Sequence, residues 1–231
     1  MNKSDRKELY NTLFFPILFL IIMWIVKLIE YAFDLELWNY GVKPQSLSGL
    51  KGILFSPFIH SDLEHLINNS YPILILGGML FFFYKKIAKQ LFLWLFFIAG
   101  FWLWIIGRTS FHIGASGIVY ALAAFLLVSG IIRKNPELSA VSMLIIFLYG
   151  SMIWRVFPIE IFGGDPTEST ISWEGHLAGF MAGIIVAIFY RKEGPKRKKY
   201  QWEIDEELEE KFREENKIKI NYILKKDDEI I

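Results

Sequence analysis

The chain has 231 residues, 54% of them hydrophobic, a formal charge of +1 and a mean hydropathy of +0.36. Apolar residues this abundant, and gathered in blocks, exclude an ordinary soluble domain. The absence of cysteine excludes a disulfide framework, a thiolate metal site and a cysteine nucleophile. Charge is nearly balanced but concentrated after residue 190, so it bears on topology and gives no basis for nucleic acid as a partner.

The chain opens on Lys3, Arg6 and Lys7, then enters the apolar run LFFPILFLIIMWIV from Leu13. No small-residue cleavage site follows, so the run is expected to be a retained anchor and not a signal peptide. Six segments satisfy the length and apolarity of a membrane helix: 12–33, 63–84, 88–107, 115–132, 138–157 and 173–190. The expected fold is therefore all-α and polytopic: an N-terminus over 1–11, a six-helix membrane domain over 12–190 and a charged tail over 191–231. Lys27 and Glu30, one turn apart late in the first span, are expected to snorkel near the outer surface.

Between the first two spans, residues 34–62 include DLELWNYGVKPQSLSGLKGILFSPF, amphipathic and aromatic, which is expected to lie partly in the membrane interface. Basic residues follow a pattern along the rest of the chain. Lys85, Lys86 and Lys89 join spans two and three, Arg133 and Lys134 join four and five, and Arg191, Lys192 and Lys196 to Lys199 follow the sixth. By the positive-inside rule these lie on the cytoplasmic side, which puts both termini inside a multi-pass protein of the cell membrane. In the tail, EIDEELEEKFREE reads as a helix with i,i+4 charge pairs, and KIKINYIL as a short strand or a docking segment.

Three polar side chains on separate spans reach one level. Ser116 is 17 residues before Arg133, His176 is 15 before Arg191 and Asn69 is 16 before Lys85. At the rise of an α-helix these stand about 25, 22 and 24 Å above the basic face. In a hydrocarbon core about 30 Å thick that is several ångströms below the opposite surface. His65 lies one turn above Asn69 on the same helical face. Polar groups at this depth must meet one another or line a wet cavity.

Their chemistry points to nucleophilic catalysis. A serine hydroxyl needs a base, and histidine is the natural one near neutral pH. Asn69, His65 and the Ser116 backbone N–H could donate to an oxyanion; the alternative for Asn69 is to tie helices together. Glu174, two residues from His176, faces elsewhere on a helix, and Asp165 sits in an outer loop, so a Ser-His dyad is favoured over a triad. Gly114 would let the loop turn into the site, and Gly117 would keep the helix start open. Gly175, Gly179 and Gly183 repeat every four residues, a spacing that lets membrane helices pack closely, with the fourth span as the expected partner. Asn68 is expected to point away from the site, and His112 to be structural.

In these motifs the chain resembles the rhomboid intramembrane serine proteases. HSDLEHLINN is similar to the family's His-x4-His-x3-Asn pattern at His60, His65 and Asn69. GASGIVYAL matches its Gly-x-Ser-Gly motif at Gly114, Ser116 and Gly117, and GHLAGFMAG its His-x2-Gly-x3-Gly pattern at His176, Gly179 and Gly183. The resemblance covers about residues 10 to 190. It implies a serine endopeptidase cutting in or beside transmembrane segments of membrane-protein substrates, with Ser116 as nucleophile and His176 as general base. It further implies an oxyanion hole of His65, Asn69 and Ser116, and Tyr120 packed on the catalytic imidazole. His60, near the membrane surface, is expected to be structural. Where many members carry a Trp-Arg pair in the first outer loop, this chain has Lys51 and Gly52, a departure that bears on loop stability.

Two other functions compete. A noncatalytic relative that binds membrane clients would typically have lost Ser116 or His176. A metal or haem carrier would need a ligand set, but there is no His-Glu-x-x-His and only His65 and Asn69 share a helical register. Neither a metal nor any cofactor is expected. The sequence leaves the substrate and the oligomeric state open.

Overall fold

The computed structural model describes residues 2–163, 172–195 and 199–217. The helices are α1 (Lys3–Ala32), α2 (Lys51–Phe55), α3 (Leu63–Phe83), α4 (Ala88–Ile106), α5 (Ser116–Arg133), α6 (Pro136–Tyr149), α7 (Trp173–Phe189) and α8 (Gln201–Glu215), with no named strand among the described residues. Four of the six membrane elements, α1, α3, α4 and α5, are long and apolar enough to cross a bilayer. A fifth is α6 together with its 3-10 continuation to Val156, and α7 is a shorter apolar helix. The chain is a polytopic helical membrane bundle.

Local chemistry sets where these helices begin. Asn2 and Asp5 form a reciprocal capping box, so α1 starts at Lys3 and not at residue 12 as its hydropathy predicts. Asp62 caps α3 by accepting from the His65 backbone N–H at 2.7 Å. Asn135 caps α6 ahead of Pro136, a residue whose ring suits the first helical position. Ser172 caps α7 by accepting from the Gly175 N–H at 3.1 Å.

α7 lies inside the bundle, packed on α5 and α4. Its buried face is made of small residues, Ala178, Gly179, Ala182, Gly183 and Ala187, and it meets the matching surface of α5. A methyl group placed on Gly179 would stand 2.0 Å from the Gly117 carbonyl oxygen, and one on Gly183 2.4 Å from that of Ala121. The two backbones are thus in direct contact, as the four-residue glycine spacing predicts. Around this seam Leu66, Leu76, Leu91, Leu95, Leu122 and Phe125 form a continuous apolar core.

The segment between α1 and α3 is folded and tied to its surroundings. Val42 and His112 exchange two backbone hydrogen bonds of 2.9 Å. The Trp104 indole donates to the Ser46 carbonyl at 2.9 Å, and the Gln45 N–H to the Trp104 carbonyl at 3.0 Å. Lys51 lies 4.4 Å from the centroid of the Tyr40 ring, so a cation–π contact holds this turn.

Lys27 and Glu30 depart from expectation. Their 2.8 Å ion pair is largely enclosed, with side chains 13% and 15% exposed, so it does not snorkel. The Lys27 ammonium also donates to the His60 and Ser61 carbonyls at 2.9 and 3.0 Å, which fastens the chain entering α3 onto α1. Removing one partner strands the other charge, whereas removing both does not. Lys27→Met is expected to destabilise the protein by about 3 kcal/mol, and Lys27→Met with Glu30→Gln by distinctly less. Thermal unfolding in detergent measures both; equal losses would show that the carbonyl clamp matters and the charge does not.

The described residues 199–217 belong to a separate compact unit. Within it α8 carries the expected i,i+4 pair, Arg213 to Glu209 at 3.4 Å. All of KIKINYIL beyond Lys217 lies outside the described residues.

Candidate active site

Ser116 is the first residue of α5, so its backbone N–H is among those with no acceptor inside the helix. Its hydroxyl lies 3.1 Å from Nε2 of His176, one turn into α7. The other imidazole nitrogen, Nδ1, is 2.9 Å from the backbone carbonyl of Arg155. A carbonyl only accepts, so in the neutral ring the proton sits on Nδ1 and the Nε2 lone pair faces the serine hydroxyl.

The orienting group is therefore a main-chain oxygen. Glu174 is buried, 3.6 Å from Arg108, and takes no part in the pair; Asp165 lies outside the described residues. The Arg155 carbonyl comes from the 3-10 segment Gly150–Val156, which also accepts a 2.9 Å hydrogen bond from the Tyr120 hydroxyl at Met152. Tyr120, on the Ser116 face of α5, stacks on the His176 ring with centroids 4.2 Å apart and planes 10° apart. The imidazole is thus held from its edge and from its face.

The opposite wall comes from α3 and the turn before α5. Gly114 has φ +104, a conformation suited to glycine, and a methyl group there would lie 2.6 Å from Nε2 of His65 and 3.8 Å from Nδ2 of Asn69. Only a hydrogen at this position lets α3 come so near the serine. Asn69 Nδ2 donates one hydrogen to the His65 carbonyl at 3.0 Å, which leaves its second donor for the cavity. The Ser61 hydroxyl donates to Asp62 at 2.6 Å and lies 3.1 Å from Nδ1 of His65. With that hydroxyl proton committed, Nδ1–H of neutral His65 is the donor to Ser61 and Nε2 is an acceptor.

His60, expected near the membrane surface, is buried within the protein, 1% exposed. Its ring lies edge-on to His65 at 5.0 Å, and its Nε2 accepts the Ala115 N–H at 3.5 Å. Burial, and then the neighbouring His65, push its pKa well below the ordinary histidine value, which keeps it a neutral acceptor. His112, expected to be structural, also lines the cavity that Ser116 and His176 share. It lies 2.6 Å from the Ser172 hydroxyl and 3.1 Å from the Arg108 carbonyl, joining the loop before α5 to the cap of α7.

Ser116, His176, His65, Asn69 and Tyr120 line one open cavity of about 750 Å³. Asn68, expected to point away, lines it too. What residue types could not reveal were the Arg155 and Met152 carbonyls, because backbone oxygens have no signature in a sequence. The Asp62 cap did have one, an aspartate placed directly before an apolar run.

The rhomboid domain family model matches residues 48–193. The chain belongs to the rhomboid family. This rhomboid is 31% identical over 191 residues to an uncharacterized protein of Mycobacterium tuberculosis, a match covering 78% of this chain and 75% of the relative. An uncharacterized protein of Mycobacterium bovis matches equally. One of Mycobacterium leprae is also 31% identical over 191 residues, covering 78% of this chain and 71% of its own length. Each of the three motifs quoted from the rhomboid's sequence has a residue on this cavity: His65 and Asn69, Ser116, and His176.

Proposed function

We propose that this rhomboid is an intramembrane serine endopeptidase, hydrolysing peptide bonds in or beside the transmembrane segments of membrane-protein substrates without a cofactor. The observation that carries the reading is the 3.1 Å approach of Ser116 Oγ to a His176 Nε2 whose tautomer is set by the Arg155 carbonyl. His176 takes the hydroxyl proton as Oγ bonds to the scissile carbonyl carbon, giving a tetrahedral oxyanion and an imidazolium. It then returns that proton to the leaving amine as the C–N bond breaks, and water repeats the sequence on the acyl-enzyme.

The oxyanion is met by the Ser116 N–H and the second Asn69 amide hydrogen; His65 adds a donor when its ring is protonated. Tyr120 and Met152 hold the imidazole plane, and Gly117, Gly179 and Gly183 hold α5 against α7. Both termini lie in the cytoplasm, and the cavity opens on the other side of the membrane.

The test is labelling of the purified protein with a fluorophosphonate, together with cleavage of single-span substrates. Labelling at Ser116 that is absent from Ser116→Ala supports the reading. Neither labelling nor cleavage, with Ser116→Ala indistinguishable from wild type, would sink it.

Asn69 separates donor from packing roles. Asn69→Ala should lower kcat by about 10² to 10³, the usual loss of one oxyanion donor, with Tm little changed. A loss as complete as that of Ser116→Ala, accompanied by a fall in Tm, would instead make Asn69 a tie between helices.

A further inference from the structure

The rhomboid has a second large cavity, about 680 Å³, at the opposite end of the bundle. It lies between the first turns of α1 and the chain that joins α3 to α4. Lys7, Lys85, Lys86 and Lys89 line it against a single carboxylate, Glu8. Glu8 is taken up by Lys85 at 2.5 Å, and no ion pair engages Lys7, Lys86 or Lys89 among the described residues. Three lysines around one concavity repel one another, and an anion between them relieves that repulsion.

Beside the polar Ser4, Asn11 and Thr12, the rest of the lining is aromatic: Tyr10, Phe14, Phe15 and Phe81. A site for a free hydrated anion has no use for this surface, but an amphiphile does. Above Phe14 the exposed residues of α1 continue as Leu18, Ile21 and Ile25, at the 4, 3, 4 spacing of one helical face. Phe14 to Ile25 rises about 16 Å, close to half of the ~30 Å hydrocarbon core. The cavity therefore opens upward onto an apolar track one leaflet deep, at the level where the first apolar run begins.

We propose that this cavity binds the headgroup of an anionic phospholipid, with an acyl chain lying along the Phe14–Ile25 face of α1. Lys7, Lys86 and Lys89 meet the headgroup phosphate, Lys85 stays with Glu8, and the phenylalanines cover the glycerol and the upper acyl carbons. This inference does not depend on the protease reading, since every residue in it is remote from Ser116 and His176.

Native mass spectrometry of the full chain in neutral detergent tests it, with phosphatidylglycerol and phosphatidylcholine of identical acyl chains as probes. Phosphatidylglycerol should be retained in preference to phosphatidylcholine, and less so as ionic strength rises. Each lysine removed should weaken retention about fivefold, so K7Q/K86Q/K89Q should weaken it on the order of a hundredfold. The K7R/K86R/K89R variant should retain the lipid. If the triple glutamine variant does not fold, as read by lipid-free Tm, K86Q/K89Q should still lose about 25-fold. Equal retention of the two lipids, or unchanged retention in the glutamine variants, would overturn the proposal. So would displacement of phosphatidylglycerol by millimolar inorganic phosphate, which would make the occupant a free anion.

Discussion

Ser116→Ala and His176→Ala are each expected to abolish cleavage, lowering kcat by on the order of 10⁴ or more, and the double variant should be no worse than either alone. On the proposed mechanism the two side chains act as one unit, because the 3.1 Å contact is the route by which the hydroxyl would lose its proton. Without the imidazole, Ser116 is an ordinary alcohol at the start of a helix. Without the hydroxyl, His176 has nothing to deprotonate but water. No carboxylate among the described residues is hydrogen-bonded to either partner, so no third side chain stands ready to replace the base. Initial rates on a single-span substrate and the rate of fluorophosphonate labelling should fall together in His176→Ala, with Tm little changed. A His176→Ala variant that kept more than a few per cent of wild-type labelling would mean that another group activates Ser116.

Most of the bundle was legible because hydrophobic blocks and basic clusters report on the bilayer directly. The six membrane elements fall where the apolar runs lie, and counting helix rise from Arg133, Arg191 and Lys85 put Ser116, His176 and Asn69 at one level before any contact was known. Less legible were features made by main chain. The start of α1 moved to Lys3 because a capping box overrides hydropathy. The His176 tautomer depends on a carbonyl of Arg155, a residue whose side chain has no part in that contact. Lys27 departs from its sequence pattern for a related reason: a lysine near a helix end usually reaches water, but here two carbonyls of the entering loop reach it first. The burial of His60 was not legible either, because the fold of the 34–62 segment cannot be counted from periodicity.

The second large effect is expected from one methyl group. Gly179→Ala places a Cβ 2.0 Å from the Gly117 carbonyl oxygen, 2.9 Å from its carbon and 3.1 Å from its Cα. All three neighbours are backbone, so no side chain can swing aside. The closest ordinary C···O approach is about 3.3 Å, and α7 must therefore move from α5 by about 1 Å. Gly117 adjoins Ser116, and Gly179 is three residues from His176, so this displacement falls on the Ser116–His176 contact itself. A misplacement of that size between reacting groups lowers rates about 10²-fold, and the overpacking lowers stability by about 1–3 kcal/mol. Gly179→Ala should thus lose Tm and Ser116 labelling together, whereas His176→Ala loses labelling alone. Gly150→Ala, where the nearest atom would be 3.9 Å away, should change both by little. If Gly179→Ala kept wild-type labelling, the close contact of α5 and α7 would not be what holds His176 on Ser116.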